Sequence, residues 1–167
     1  MDALSSATRH PMRRRLLAGL AGSLLLGHAG LATASGRVVL ARSTALRSEL
    51  GSALAAGEPL VVMVSLEGCP FCRDARDSYI GPMRDEQRLA VVQVDLRSNS
   101  PVSDFTGVAT THDALTRNWR ISIAPTVLFF GPGGREIAPR LTGAYLPDFY
   151  GAYLEERVRQ ARKIVRG

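Results

Sequence analysis

The sequence predicts an α/β domain in which a mixed β-sheet is flanked by helices. Apolar runs of strand length occupy residues 60–66 and 90–95, and segments with helical apolar spacing surround them. Two further strand-length runs, residues 126–130 and 136–141, flank a turn at residues 131–134 that is rich in glycine, which predicts an antiparallel pair. The predicted order of elements is therefore α-β-α-β-α-β-β-α.

The first half of this order contains two predicted helices. One spans residues 43–56 and has apolar residues at helical spacing: Leu46, Leu50, Ala53 and Leu54. The other begins near Pro70, because proline fits the first turn of a helix. We expect this second helix to be broken or kinked at Gly81 and Pro82 and to resume toward Leu89.

The second half contains a long polar segment and two more helices. Residues 96–112 are polar and aperiodic, which predicts a long loop. A short helix is predicted over residues 113–119, and Pro147 is predicted to open the last helix. The apolar face of that last helix would consist of Tyr150, Leu154, Val158, Ala161 and Val165. We expect Trp119 and this stripe to pack in the core.

Length, composition and charge are those of an ordinary one-domain protein. The chain has 167 residues, enough for one domain with a sizeable core, and an ordinary composition of 46% hydrophobic and 22% charged residues. Half of the net charge of +6 comes from residues 1–34. The rest of the chain is only mildly basic, so no nucleic-acid partner is needed to explain its charge.

The first 34 residues have the pattern of an export signal. A run of arginines at residues 13–15 precedes the apolar run 16–27, and a small-x-small cleavage motif ends at Ala34. The apolar run is shorter than the roughly 20 residues of a membrane-spanning helix. We therefore expect cleavage near Ala34, a mature domain over residues 35–167 and a periplasmic location. The adjacent arginines leave both general and twin-arginine export open.

The chain has two cysteines, Cys69 and Cys72, placed between a predicted strand and a predicted helix. Helical N–H groups at such a position favour a thiolate, the species that attacks disulfides. A bridge between cysteines this close closes a very small loop and adds little stability, so the pair is interpreted as functional. Cys69 is expected to attack and Cys72, one helical turn on, to resolve the mixed disulfide. No cofactor beyond this redox-active disulfide is expected.

A metal site is the main alternative interpretation of the cysteines. Zinc normally takes four ligands, and beyond the cysteines the mature chain offers His112 as its only histidine. We therefore expect no metal within a monomer, and His112 is interpreted as an ordinary loop residue. A metal-delivery or partner-docking module would need a site shared by two chains.

The order of elements and the Cys-x-x-Cys motif together resemble the thioredoxin fold, over roughly residues 58–165. The second anchor of the resemblance is residues 123–130, Ile-Ala-Pro-Thr-Val-Leu-Phe-Phe. The resemblance implies that Pro125 is cis and faces the cysteines, and that the backbone of Ala124 pairs with an extended substrate segment. Gly143 matches a family glycine after the last strand.

A narrower resemblance is to periplasmic thioredoxins of the SoxW type, which are linked to sulfur oxidation. It is carried by residues 94–107 and 115–119, and by the Cys-Pro-Phe-Cys centre, which is similar to Cys-Pro-Tyr-Cys of that group and of glutaredoxins. The resemblance implies an exported, monomeric thiol–disulfide oxidoreductase that reduces protein disulfides and is itself reduced by a membrane thiol–disulfide donor. A disulfide donor, an isomerase and a glutathione-linked enzyme are the alternatives.

The residues around the cysteines depart from the family in two places. Met63 occupies the position of a buried aspartate, and Gly68 replaces an aromatic residue before the first cysteine. Glu67 is expected to be solvated, so the sequence assigns no proton-transfer group.

Side chains within the Cys-x-x-Cys motif and just after it have their own expected roles. Pro70 is expected to order the turn, and Phe71 is either a substrate contact or an exposed aromatic. Arg73 either opposes the helix dipole or stabilises the thiolate.

Overall fold

The computed structural model describes residues 38–143 and 147–167. The predicted signal segment, residues 1–34, lies outside them. The helices are α1 Leu46–Ala55, α2 Pro70–Ala75, α3 Gly81–Gln87, α4 His112–Asn118 and α5 Pro147–Arg166, with a π-helical turn Arg76–Ile80 between α2 and α3. The strands are β1 Leu60–Ser65, β2 Val91–Asp95, β3 Pro101–Ser103, β4 Ala109–Thr111, β5 Thr126–Gly131 and β6 Arg135–Thr142.

Four of the strands form one mixed sheet in the order β2-β1-β5-β6. Strand β1 pairs with β2 in parallel, and β5 pairs antiparallel with both β1 and β6. The parallel register sets Ser65 opposite Asp95, so the carboxyl ends of β1 and β2 lie side by side. The predicted mixed sheet flanked by helices is confirmed.

Helices cover both faces of the sheet, which explains why β1 is apolar throughout. Val61 and Met63 pack with α2, α3 and α5, whereas Val62 and Val64 pack with α1 and α4. All six residues of β1 are buried. A strand buried on both faces has no solvent-facing side chain, so a continuous apolar run replaces the usual alternation.

The helix after the cysteines differs from the sequence prediction. The chain stays helical through Gly81, whose φ is −60° and ψ −53°, so of the predicted break or kink at Gly81 and Pro82 the break is wrong, and the helix continues from there as α3. The irregularity is the wider π-helical turn just before them. Pro82 has no N–H to donate and its ring crowds the preceding turn, and a widened turn accommodates both effects without ending the helix.

The predicted loop over residues 96–112 contains a small hairpin instead. Strands β3 and β4 pair antiparallel, and the side chain of Asp104 closes their connection by accepting from the amides of Thr106 and Val108 at 2.8 and 2.9 Å. The Thr106 hydroxyl and the Val108 amide, both donating to this carboxylate, hold the pKa of Asp104 below its ordinary value. Strands of three residues are too short to show an alternating apolar pattern, so no sequence pattern predicts them.

The interpretation of His112 as a loop residue is wrong. His112 is the first residue of α4 and is fully buried. Its Nδ1 accepts from the Asp95 amide at 3.0 Å, so the proton is on Nε2, which donates to the Ser43 carbonyl oxygen at 2.9 Å. The ring therefore ties α4 to the end of β2 and to the segment before α1.

The aromatic residues that were predicted to pack in the core do so. Trp119 packs against Phe105 and Phe130, with ring centroids 6.4 and 5.4 Å away. Tyr150 is buried on the inner face of α5, beside Leu154. None of the helices in the described part of the chain is both long and apolar enough to span a membrane.

Candidate active site

A tight turn carries the chain from β1 to the first cysteine. The Cys69 amide donates to the Leu66 carbonyl oxygen at 3.2 Å, and Gly68 has a φ of +74°. Glycine adopts this left-handed conformation at little cost, whereas a residue with a Cβ is strained there. The glycine that departs from the family pattern therefore has a backbone reason: this turn disfavours an aromatic residue at the same position.

Cys69 occupies the N-cap position of α2, and Pro70 is the first residue of the helix. The Cys72 amide donates to the Cys69 sulfur at 3.1 Å. A free N–H in the first helical turn, together with the positive end of the helix dipole, stabilises negative charge on that sulfur. The structure joins Cys69 and Cys72 in a disulfide, with their Cα atoms 5.3 Å apart.

The two sulfurs differ in accessibility. Cys72 is 1% exposed and belongs to the core beneath the sheet, whereas Cys69 is partly exposed. Beside them Pro70 is exposed and the Phe71 side chain is 60% exposed. A large substrate can therefore reach Cys69 but not Cys72, which fits an attacking and a resolving role.

Ala124 and Pro125, which belong to the second anchor of the resemblance, face Cys69. The Ala124–Pro125 peptide bond is cis, and the Ala124 carbonyl oxygen lies 4.0 Å from the Cys69 sulfur. Pro125 is buried and directly precedes β5, and its carbonyl oxygen accepts from the Gly143 amide at 2.7 Å. Gly143 has a φ of +77°, which suits glycine at this position. The structure thus brings together Cys69, Cys72, Ala124 and Pro125.

Comparison with known proteins identifies the family. Residues 46–157, about two thirds of the chain, match the model of the thioredoxin-like domain. This chain belongs to the thioredoxin-like family. The sequence matches no curated protein.

Several solved structures are similar to this chain at low sequence identity. A thioredoxin from Thermus thermophilus is 22% identical, with a TM-score of 0.50 over 77% of this chain and 92% of its own. The DsbH oxidoreductase is 15% identical, with a TM-score of 0.51 over 77% of this chain and 88% of its own. The periplasmic thioredoxin SoxS from Paracoccus pantotrophus is 22% identical, with a TM-score of 0.41 over 62% of this chain and 99% of its own. A thioredoxin-like fold that carries a Cys-x-x-Cys disulfide is consistent with a thiol–disulfide oxidoreductase.

The carboxylates of this thioredoxin-like protein are placed differently from the family pattern. Met63 is fully buried where the family has an aspartate, and Glu67 is exposed, as expected. Among the described residues the buried carboxylate is Glu58, which lies before β1 at the opposite end of the strand from the cysteines. Its Oε2 pairs with Arg162 Nε at 2.7 Å, and its Oε1 pairs with Arg166. Glu58 is therefore a structural ion pair and not a proton donor to the disulfide.

Sequence reasoning missed one carboxylate near the cysteines, Asp95. A groove of about 540 Å³ opens where β1 and β2 end, and its lining includes Asp95 and both cysteines. Asp95 Oδ2 pairs with Arg42 Nε at 2.5 Å. Adjacent parallel strands bring their carboxyl ends to the same edge of a sheet, so the position of Asp95 at the end of a predicted strand was the available signal.

The described residues include no group of three or more His, Cys, Asp or Glu side chains arranged to hold a metal. Both ring nitrogens of His112 already bond to backbone groups. His112 therefore does not join Cys69 and Cys72 in a ligand set.

Proposed function

We propose that the protein is an exported thiol–disulfide oxidoreductase that reduces disulfides of other proteins in the periplasm. One observation carries the proposal: Cys69 is partly exposed at the start of α2, next to the Ala124 carbonyl oxygen, while Cys72 is buried behind it. This arrangement offers one sulfur to a substrate and keeps the other for resolution.

The proposed reaction has two exchange steps. The Cys69 thiolate attacks one sulfur of the substrate disulfide, forms a mixed disulfide with it and releases the other substrate sulfur as a thiolate. Cys72 then gives its proton to the released thiolate and attacks the Cys69 sulfur, which forms the Cys69–Cys72 disulfide and releases the second substrate sulfur. Two electrons pass from the protein dithiol to the substrate. A dithiol donor at the membrane would return them.

The surroundings of Cys69 support binding of an extended protein segment. Ala124 lies two residues before Thr126, the first residue of β5, and this position supports pairing of its backbone with a substrate strand. Pro70 and Phe71 directly follow Cys69 in the sequence, and both are exposed. We assign Pro70, Phe71, Ala124 and Pro125 to substrate binding.

Export and the narrower family assignment rest on the sequence. Residues 1–34 have the order of a signal peptide, and the mature chain has no cysteine besides this pair. The Cys-Pro-Phe-Cys centre and residues 94–107 support a periplasmic thioredoxin of the SoxW type, acting as a monomer. An oxidising compartment supplies protein disulfides as substrates.

The test is to trap the mixed disulfide. Cys72→Ser in the exported protein is expected to accumulate complexes with client proteins that dissolve on addition of a reductant, and Cys69→Ser is expected to form none. In cells the wild-type pair is expected to be mostly reduced. If purified protein reduces neither insulin nor small disulfides, the proposed activity is wrong. A fully oxidised pair in cells would reverse the proposed direction to disulfide donation.

A further inference from the structure

The groove beside the disulfide is separate from the surface that faces Pro125. It is formed by the ends of β1 and β2, the turn after each of them and the first turns of the helix that follows Cys69. Neither Ala124 nor Phe71 lines it. Its volume of about 540 Å³ falls within the roughly 300–1,000 Å³ of ordinary ligand sites.

The lining of this groove is basic. It contains four arginines, Arg42, Arg73, Arg76 and Arg97, and two carboxylates, Glu67 and Asp95. Two of the arginines are already paired with carboxylates, Arg42 with Asp95 and Arg76 with Asp77.

The other two arginines are available to a ligand. Arg73 and Arg97 are exposed, and neither makes an ion pair or a side-chain hydrogen bond to any residue in the described part of the chain. Arg73 directly follows Cys72 in α2. The groove therefore presents two unpaired guanidinium groups to a ligand that approaches the disulfide.

The turn that carries Arg97 is fixed to the sheet. The Leu96 amide donates to the Ser65 carbonyl oxygen at 2.7 Å, which bonds the turn to β1, and the Ser98 amide donates to the Asp95 carbonyl oxygen at 3.3 Å. Arg97 itself has a φ of +61°, a conformation that glycine adopts at lower cost. An arginine is thus held at the rim of the groove in a position where its backbone is disfavoured.

We infer that this groove binds a carboxylate of the disulfide substrate, which deepens the proposed function and rests on it. The planar guanidinium group matches a carboxylate with two parallel N–H···O bonds. The carboxylate belongs either to a small acidic disulfide or to an acidic side chain beside the disulfide of a protein. Bound there, it places the substrate sulfur against Cys69.

A different role for the same charges makes a different prediction. Arginines near Cys69 also stabilise its thiolate, and in that role they change its reactivity toward every disulfide alike. A carboxylate site changes the rates for acidic substrates and leaves the rates for neutral substrates unchanged. The two roles are therefore separated by comparing substrates of different charge.

The experiment measures oxidation of the reduced protein by dithiodipropionate, which carries two carboxylates, by neutral hydroxyethyl disulfide and by cationic cystamine. Each rate is divided by that of free dithiothreitol with the same disulfide. For the wild type we expect the dianion to be favoured over the neutral disulfide by about fivefold at low salt, and this preference to shrink as ionic strength rises. Arg73→Gln with Arg97→Gln is expected to abolish the preference, because the normalised rate for the dianion falls to that for the neutral disulfide.

A matched control carries the same change of charge elsewhere. Arg88→Gln with Arg159→Gln also removes one arginine with a positive φ, 55° at Arg88, and one exposed helical arginine, and neither residue lines the groove. This control is expected to retain the wild-type preference. An equal loss of rate for all three disulfides in the Arg73 and Arg97 variant would overturn the inference, as would equal normalised rates in the wild type.

Two further experiments complete the test. The first identifies the source of the carboxylate, and the second measures binding in the groove independently of disulfide reduction. A disulfide peptide with glutamates beside its cysteine is compared with the same peptide carrying glutamines; a preference for glutamate indicates a protein side chain, whereas a preference confined to dithiodipropionate indicates a small acid. Thiodipropionate, which has no disulfide, is titrated into the oxidised protein and followed by amide chemical shifts. Shifts confined to the groove support the site even if the protein reduces nothing, and their absence contradicts it.

Discussion

The amide of Cys72 points at the sulfur of Cys69 from 3.1 Å, at the N-terminus of the helix that both residues share. The buried cysteine thus stabilises charge on the exposed one through its backbone, before its own sulfur takes part. Because Cys72 is only 1% exposed, the same geometry gives the two thiols different access to reagents.

In the reduced protein we therefore expect iodoacetamide to label Cys69 and to leave Cys72 largely unmodified. The rate of labelling should rise with pH and reach half its maximum below the value of about 8.5 typical of a free thiol. Mass spectrometry of the labelled peptides, sampled over time at a series of pH values, measures both effects. Equal labelling of the two cysteines, or a midpoint at or above that of a free thiol, contradicts this prediction.

Gly68→Ala should destabilise the protein although its Cβ would meet nothing within 4 Å. The cost is the left-handed backbone, φ +74°, and we expect the free energy of unfolding to fall by about 1–2 kcal/mol. Gly51→Ala is the matched control, because Gly51 lies inside α1 with equally open space and should gain about 0.5–1 kcal/mol. Urea denaturation of the two oxidised variants measures this difference, and the same sign for both would contradict the backbone argument.

Tyr150 should make the protein sensitive to alkali. Burial, together with the neighbouring Tyr79, raises the pKa of Tyr150 from 10 to about 12. Because the pKa is higher in the folded than in the unfolded state, Tyr150 stabilises the protein fully at pH values below the pKa of the unfolded chain, about 10. This contribution is lost as pH rises from about 10 toward 12. Stability measured by urea denaturation should therefore drop by about 2–3 kcal/mol across this range.

Tyr150→Phe tests this explanation. The Tyr150 hydroxyl is buried with no hydrogen-bond partner among the described residues, so its removal should raise stability at neutral pH by about 1 kcal/mol and reduce the alkaline loss. Tyr153→Phe, on the exposed face of the same helix, should keep the wild-type profile. An unchanged alkaline loss in Tyr150→Phe would show that another group causes it.

His112→Phe should lower stability without removing the disulfide chemistry. Phenylalanine fills the space but leaves the Asp95 amide and the Ser43 carbonyl without their partner, which should cost about 2–4 kcal/mol. Asn118→Ala, an exposed change in the same helix, should stay within about 0.5 kcal/mol of the wild type. Thermal denaturation and the rate of disulfide exchange of the folded protein measure the two effects; lost exchange at unchanged stability would give His112 a role in the reaction.

The features that the sequence predicted well depend on neighbours along the chain. The apolar run of β1 predicted a buried strand because every residue from Leu60 to Val64 is apolar, whichever elements cover it. Cys69 was placed at the start of a helix by the strand before it and by Pro70 after it. The cis bond before Pro125 was implied by the family pattern around it.

The features that the sequence missed depend either on residues that are far apart in the chain or on elements too short or irregular to show a periodic pattern. His112 is buried because Ser43 and Asp95 bond to its two nitrogens from separate segments. The π-helical turn before Pro82 is a compromise between a missing N–H and continued packing of the helix on the sheet. The hairpin of β3 and β4 is too short to leave a periodic pattern.

The sequence by itself determined the family, the pair of sulfurs and the four strands of the main sheet with the helices between them, because each of these depends on local patterns of apolar residues, turns and caps. Only the tertiary structure decided which groups form the groove beside the sulfurs. The parallel register that sets Ser65 opposite Asp95 brings Arg97 and its turn to the groove that the disulfide borders. That register is fixed by packing of the sheet between two layers of helices, which no local stretch of sequence encodes.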